Sequence, residues 1–248
     1  MKPWGKDWWV PPRSEELEFI DRAEAGHSDL VANLEHMALA NRLMGTSNRL
    51  VEALEAILRS HDGARPLSWV DVGTGGGDIP VAVVRWARWR RVRLKTIVSD
   101  LSGETLAIAR CNLGRQLTPM AADFPLLVQH DGCRIPFDSG SVDLVTCCHT
   151  LHHLEVTRAI ALLKEMERVS RLGFVILDLR RAFFTYWASR LLTCMLGHRL
   201  SAHDGPLSVL RSFTRAELLA LALDAGIPSP EIREYAWQVM LLRSKTNE

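Results

Sequence analysis

The sequence predicts an α/β protein with a mostly parallel sheet, helices on both faces, a C-terminal antiparallel hairpin and a helical cap before the sheet. Three observations carry that prediction. From residue 67 onward, apolar runs of strand length alternate with segments of helical periodicity. The first run, VDVG ending at Gly73, opens into a loop with four glycines, Gly73, Gly75, Gly76 and Gly77, before the next helix. The closing segment PEIREYAWQVMLLRSK has room for one or two further strands, which as a hairpin would finish the sheet.

Each element follows in chain order. Residues 1–13, rich in Trp and Pro, read as an extended arm. Ser14 is placed to cap a first helix, with Glu15 and Glu16 in the first turn where the helix dipole favours acids. Ser28 is placed to cap a second helix carrying Leu30, Leu34, Met37 and Asn41 on one face. Residues 47–59 space Leu50, Val51, Leu54, Ile57 and Leu58 as a third, with Gly45, Thr46, Ser47 and Asn48 between the two. The core then reads strand 67–73, helix 79–89, strand 92–100, helix 102–113, strand 124–131, strand 141–149, helix 155–171 and strand 173–179. Residues 181–212 form an insertion. Thr214 and Glu217 mark the next helix as a capping box, Phe213 and Leu218 as a hydrophobic staple, and Gly226 stops it. The chain thus divides into an N-terminal arm and helical cap over 1–62 and a sheet domain over 63–248, with a lid insertion at about 181–212.

Composition narrows the function classes. A net charge of +1 supplies no field for nucleic acid or an anionic membrane. The basic run RWARWRRVR (85–93) falls at the end of a core helix, where it reads as a solvated face with snorkelling arginines. The N-terminus lacks the apolar stretch of a signal peptide, and no apolar run reaches the ~18 residues of a spanning helix. Five cysteines without a CxxC pair read as reduced thiols, which points to the cytoplasm.

The glycine loop carries the chemistry. Glycines let a ligand lie against the backbone, and the helix beginning near Asp78 offers free N–H groups. A dinucleotide fingerprint, GxGxxG, requires a third glycine where this chain has Asp78 or Pro80. A carboxylate at the mouth of the loop repels a pyrophosphate and suits an ammonium. S-adenosylmethionine (SAM) has no phosphate and carries an α-amino group and a sulfonium, so Asp71 and Asp78 favour SAM over a nicotinamide dinucleotide. Asp100, ending the next strand, is placed to accept from both ribose hydroxyls; the other reading is a helix cap, for which Ser102 is available. Asp131-Gly132 follows a third strand and is placed either to accept from the adenine amino group or to make a plain turn.

These residues form a pattern. An acid followed by GxGxG (Asp71, Gly73, Gly75, Gly77), an acid ending the second strand (Asp100), DGxxxPFxxxSxDxV (Asp131 to Val145) and CHTLHHL (148–154) together resemble the class I SAM-dependent methyltransferases. The resemblance covers about residues 67–180, and 212–245 more loosely. It implies a Rossmann-like α/β sheet, SAM as cofactor and S-adenosylhomocysteine (SAH) as product, with Thr74, Leu101 and His149 as further cofactor contacts beside Asp71, Gly73, Gly75, Gly77, Asp78, Asp100, Asp131 and Gly132. The N-terminal helices and the DLRR and HDGP segments are similar to the ubiquinone- and menaquinone-pathway branch and its relatives in polyketide and phenolic-lipid biosynthesis. That similarity implies secondary or quinone metabolism.

Methyl transfer from a sulfonium is an in-line displacement, so the protein's main task is alignment. A base is needed only when the acceptor begins protonated. His149, His152 and His153 follow the fourth strand at the ligand edge of the sheet, and His203 lies beside Asp204 in the insertion; His203, His153 and His149 are the candidate bases. His149 and His152 have HxxH spacing, but no third ligand is evident and no metal is expected. Arg180 and Arg181 at the end of the fifth strand are placed to orient an anionic acceptor or to bridge to the cap. The apolar faces of the insertion and N-terminal helices would enclose a pocket for a small aromatic or lipid-tailed acceptor. No nucleic-acid partner and no stable membrane insertion are expected; a homodimer is compatible with the sequence. Three alternatives stay open: a protein or nucleic-acid acceptor, a dinucleotide-dependent oxidoreductase, and a SAM-binding fold without methyl transfer.

Overall fold

A computed structural model describes residues 10–21, 26–60, 65–118, 121, 123–196 and 199–245. Among them seven strands form one sheet: β1 (Leu67–Val72), β2 (Leu94–Asp100), β3 (Leu126–Gln129), β4 (Val142–Cys148), β5 (Ser170–Leu179), β6 (Glu231–Glu234) and β7 (Gln238–Ser244). The order is β3-β2-β1-β4-β5-β7-β6. Strands β1 to β5 run parallel, and β7 lies antiparallel between β5 and β6. This is the Rossmann-like sheet with a terminal antiparallel hairpin that the motifs imply.

The helices are α1 (His27–Met44), α2 (Thr46–Ile57), α3 (Asp78–Arg90), α4 (Gly103–Gln116), α5 (Val156–Val169), α6 (Phe183–Leu196), α7 (Arg199–Arg211) and α8 (Arg215–Asp224). Alternation along the strands feeds two cores. Val70, Val145, Phe174, Ile176 and Leu241 pack with Leu162, Leu163 and Met166 of α5 and Leu218 of α8. Their neighbours Trp69, Leu144, Val175, Leu177 and Met240 pack on the other face with Leu50 and Leu54 of α2 and Val83 of α3.

Three expectations are corrected. No helix starts at Ser14: residues 10–18 are irregular and lead into a short 3-10 turn, Phe19–Asp21. The donors a helix would satisfy internally go to α7 instead. The N–H groups of Phe19 and Ile20 donate to the Asp204 carboxylate (2.8 and 3.2 Å), and that of Ser14 donates to the Leu210 carbonyl (3.0 Å). The second helix begins one residue before Ser28, with Gly26 at its N-cap position. Thr46 opens α2 rather than lying in a loop, because its buried hydroxyl accepts from the Gln238 amide. The insertion, read above only as a lid, folds as α6 and α7, with Asp204, Gly205 and Pro206 inside α7. A Cβ at Gly205 would stand 2.5 Å from Thr193 Cγ2, so the glycine lets α6 and α7 approach closely. The arm residues 1–9 lie outside the described residues. Cys111, Cys133, Cys147, Cys148 and Cys194 form no disulfide, and among the described residues no helix is long and apolar enough to cross a membrane.

Candidate functional site

The strand order reverses between β1 and β4, and a crevice at such a switch point is where open α/β sheets bind ligands. Both strands end there in polar groups. Trp69 Nε1 donates to Thr146 Oγ1 (2.9 Å), which donates to Asp71 Oδ1 (2.7 Å). This chain of bonds fixes a buried carboxyl under the glycine loop, and burial pushes it up to about 7. The loop turns at Gly73 (φ 71°) and Gly75 (φ 53°), conformations that side chains rarely adopt. Gly73 is also pressed by the protein itself, since a Cβ there would stand 2.2 Å from Thr150 Oγ1.

Asp100 ends β2 and accepts from the Gly75 N–H (3.1 Å) and the Ser102 N–H (3.0 Å). Ser102, as expected of a cap, accepts from Thr105 at the start of α4. Asp78 opens α3 and accepts from Asn41 Nδ2 (3.0 Å). Burial pushes both carboxyls up, and their charges add to the rise at Asp71. Among the described residues, none of these three acids has an ion-pair partner within 4.0 Å. Thr74 is buried in the loop, and Leu101 stands exposed after Asp100.

Asp131 lies further out. Its carboxylate accepts from Arg158 (2.9 Å) and from the Cys133 N–H (2.9 Å), and it is held below the usual carboxylate range because these bonds outweigh its partial burial. Gly132 packs on the core: a Cβ would stand 2.9 Å from Val72 Cγ1.

Beside this turn lies a cavity of about 370 Å³ between α1, α6, α7 and the ends of β4 and β5. Met37, Met44, Leu179, Leu192 and Val209 give it an apolar wall, and Glu18, His149, His152 and His153 supply polar groups. The loop glycines, Asp100 and Asp131 do not line it. Leu34 of α1 stands over the loop instead, 3.6 and 3.5 Å from where Cβ atoms would lie on Gly75 and Gly76, and packs with Ile108 of α4.

The histidines divide sharply. His149 has left-handed backbone (φ 51°), which turns it into a buried network. Arg49 donates to Gln238 Oε1, so the Gln238 amide nitrogen faces Thr46 Oγ1 (2.7 Å) and donates to His149 Nε2 (3.1 Å). Burial pushes His149 down to about 4 despite the Asp178 charge, so it is neutral, and its Nε2 lone pair is already engaged. His152 and His153 sit in a 3-10 turn, Leu151–His153, between β4 and α5. His152 Nδ1 lies 2.6 Å from Asp178 Oδ1. His153 Nδ1 lies 2.9 Å from Asp21. Burial alone would lower His153, but Glu18 and Asp21 raise it to about 9, and it is a cation at neutral pH.

His203 is a correction to the candidate bases. It does not line the cavity: its ring rests on Phe19 (4.3 Å between centroids), with Nδ1 on Asp204 (2.9 Å) and Nε2 near Glu16 (3.3 Å). Arg181 is likewise structural, buried against the Ser212 carbonyl (2.9 Å) and Glu217.

A protein-family model described as a methyltransferase domain matches residues 70–177, the stretch from the end of β1 through β5. Over that stretch the chain is similar to methyltransferase domains. Solved structures share the fold. A Methanococcus maripaludis protein, named for inferred SAM-dependent methyltransferase activity, superposes with a TM-score of 0.60 at 16% identity, over 92% of this chain and 97% of its own. The structure described as PigF with SAH gives 0.57 at 17% identity over 89% of this chain, which spans only 60% of the PigF chain. Magnesium protoporphyrin IX methyltransferase from Synechocystis, solved with SAH, gives 0.55 at 15% identity over 83% of this chain and 87% of its own. No curated protein matches in sequence.

Sequence reasoning missed Glu18, Asp178 and Gln238. Asp178 ends β5 at the ligand edge, a position that flags it as Asp100 was flagged. Glu18 and Gln238 carry no local signal, because the chain brings them to the site from 134 residues before His152 and 89 residues after His149.

Proposed function

We propose that this methyltransferase domain uses SAM to methylate a small acceptor with an apolar, aromatic or lipid-tailed body, at oxygen or carbon. The observation that carries the reading is the trio Asp71, Asp78 and Asp100. Three largely buried carboxyls around a left-handed glycine turn, with no ion-pair partner within 4.0 Å among the described residues, make a site for a cationic ligand without phosphate. SAM, when bound, supplies a methyl group on a sulfonium. Asp100 would accept from the ribose hydroxyls and Asp71 and Asp78 would face the ammonium.

The cavity beside the turn would hold the acceptor. Its apolar wall suits a ring or chain, and Glu18, His152 and His153 would receive the polar end. Alignment is the main contribution of such a pocket. Among the candidate bases, His149 is neutral with its lone pair occupied, and His153 is protonated.

Calorimetric titration of the full chain with SAM, SAH and NADH tests the reading. SAM and SAH should bind and NADH should not. Asp100→Ala should weaken SAM roughly tenfold to hundredfold, the value of lost hydrogen bonds to a charged group. Binding of NADH in preference to SAM, or unchanged affinity in Asp100→Ala, would overturn it.

A further inference from the structure

We propose that Glu18, His152 and His153 form a binding site for one divalent transition-metal ion of the zinc class, at the wall of the acceptor cavity. Their ligand atoms all lie within 4.8 Å of one another. Glu18 Oε1 stands 3.7 Å from His152 Nε2 and 4.0 Å from His153 Nδ1. Ligation at ~2.0–2.2 Å needs the three atoms only somewhat closer than this.

Glu18 is the decisive residue. It is 2% exposed, and its Oε2 accepts from Ser208 (2.8 Å) while Oε1 accepts no hydrogen bond. A buried carboxylate oxygen left this way is costly unless something else occupies the position. The nitrogens of His152, His153 and Arg211 at 3.7–4.0 Å are too far to be hydrogen-bonded to it. Oxygen and imidazole ligands suit zinc-like ions.

His152 is oriented for ligation. Asp178 receives its Nδ1 at 2.6 Å and its backbone N–H at 3.0 Å, which leaves Nε2 facing Glu18. A buried carboxylate behind the far nitrogen is the arrangement that orients metal-bound histidines and raises their basicity. His153 would exchange its Asp21 contact for the ion, so metal and proton compete there. The surrounding charges allow it. Glu18, Asp21 and Asp178 supply three carboxylates against Arg211, whose Nε lies 3.7 Å from Glu18 Oε1, and Arg13, whose guanidinium is spent on the carbonyls of His152 and Leu154. Arg211 is likewise tied to the carbonyls of His152, His153 and Glu16.

Three protein ligands leave a coordination position for an oxygen of the acceptor. That consequence rests on the methyltransferase reading, whereas the metal site does not. The test reads metal directly. The full chain is stripped with chelator, titrated with Co²⁺ followed by visible absorption, and assayed for bound Zn²⁺ by mass spectrometry. One equivalent with d–d bands is expected, lost in Glu18→Gln and in His153→Asn, with thermal melts showing that at least one of the two variants is folded. No stoichiometric binding, or binding that survives in whichever variant is folded, overturns the proposal. SAM titration of the same samples keeps its failure separate from that of the methyltransferase reading.

Discussion

Asp71 sits fully buried at the end of β1, its carboxyl pushed up to about 7 by burial against the opposing pull of its hydrogen bond from Thr146. Its folded value lies above the ordinary 3.8, so ionised Asp71 destabilises the free protein at and above neutral pH, and the penalty disappears toward pH 4. Asp71→Asn should therefore raise Tm more at pH 8 than at pH 4. An ammonium beside Asp71 requires the ionised form. SAM affinity should then fall as pH drops below about 7, approaching tenfold per pH unit, with proton release on binding near neutrality. Calorimetry in buffers of different ionisation enthalpy measures both, and a profile flat through neutrality would remove Asp71 from the ammonium site. At this scale the acids that end strands were legible, because a carboxylate closing an apolar run has no packing role. Glu18 was not: it sits where a first helix was expected, and only its burial against His152 gives it meaning.

At the scale of elements, legibility follows the range of the interactions that make the element. The start of α8 was readable because its capping box closes within four residues: the Thr214 hydroxyl accepts from the Glu217 N–H, and Glu217 accepts from the Thr214 N–H. Thr214→Ala should cost about 1 kcal/mol, measured by urea denaturation, with the slope unchanged. Glu217 also pairs with buried Arg181, so a loss well above 2 kcal/mol would mean that the cap holds the end of β5 as well. The stretch from Ser14 was misread for the opposite reason. Its acids are right for a helix, but its backbone donors are taken by Asp204, 184–185 residues away. The placement of β7 beside β5 has a simpler cause: QVMLLR is buried throughout, whereas EIRE is partly exposed and takes the edge.

For the whole molecule, the sheet presents the glycine turn at its switch point, but α1 lies across that turn. Leu34 stands against Gly75 and Gly76 and packs with Leu30 and Ile108, while Asn41 of the same helix binds Asp78. The cavity lined by α1, α6 and α7 is open beside the turn, whereas Leu34 stands over its Gly75–Gly76 stretch. A nucleoside that lies along the loop must therefore displace α1, breaking the Leu34 contacts on the way in. Truncating that contact lowers the barrier without touching a polar group at the site. Removing ~2 kcal/mol of buried contact by Leu34→Ala should raise the SAM association rate by at least tenfold. Stopped-flow tryptophan fluorescence measures the rate, and hydrogen exchange should show the amides of α1 changing protection when SAM binds. An unchanged rate together with unchanged protection would mean that the cofactor reaches the turn without moving α1, and that Leu34 serves the packing of α4 alone.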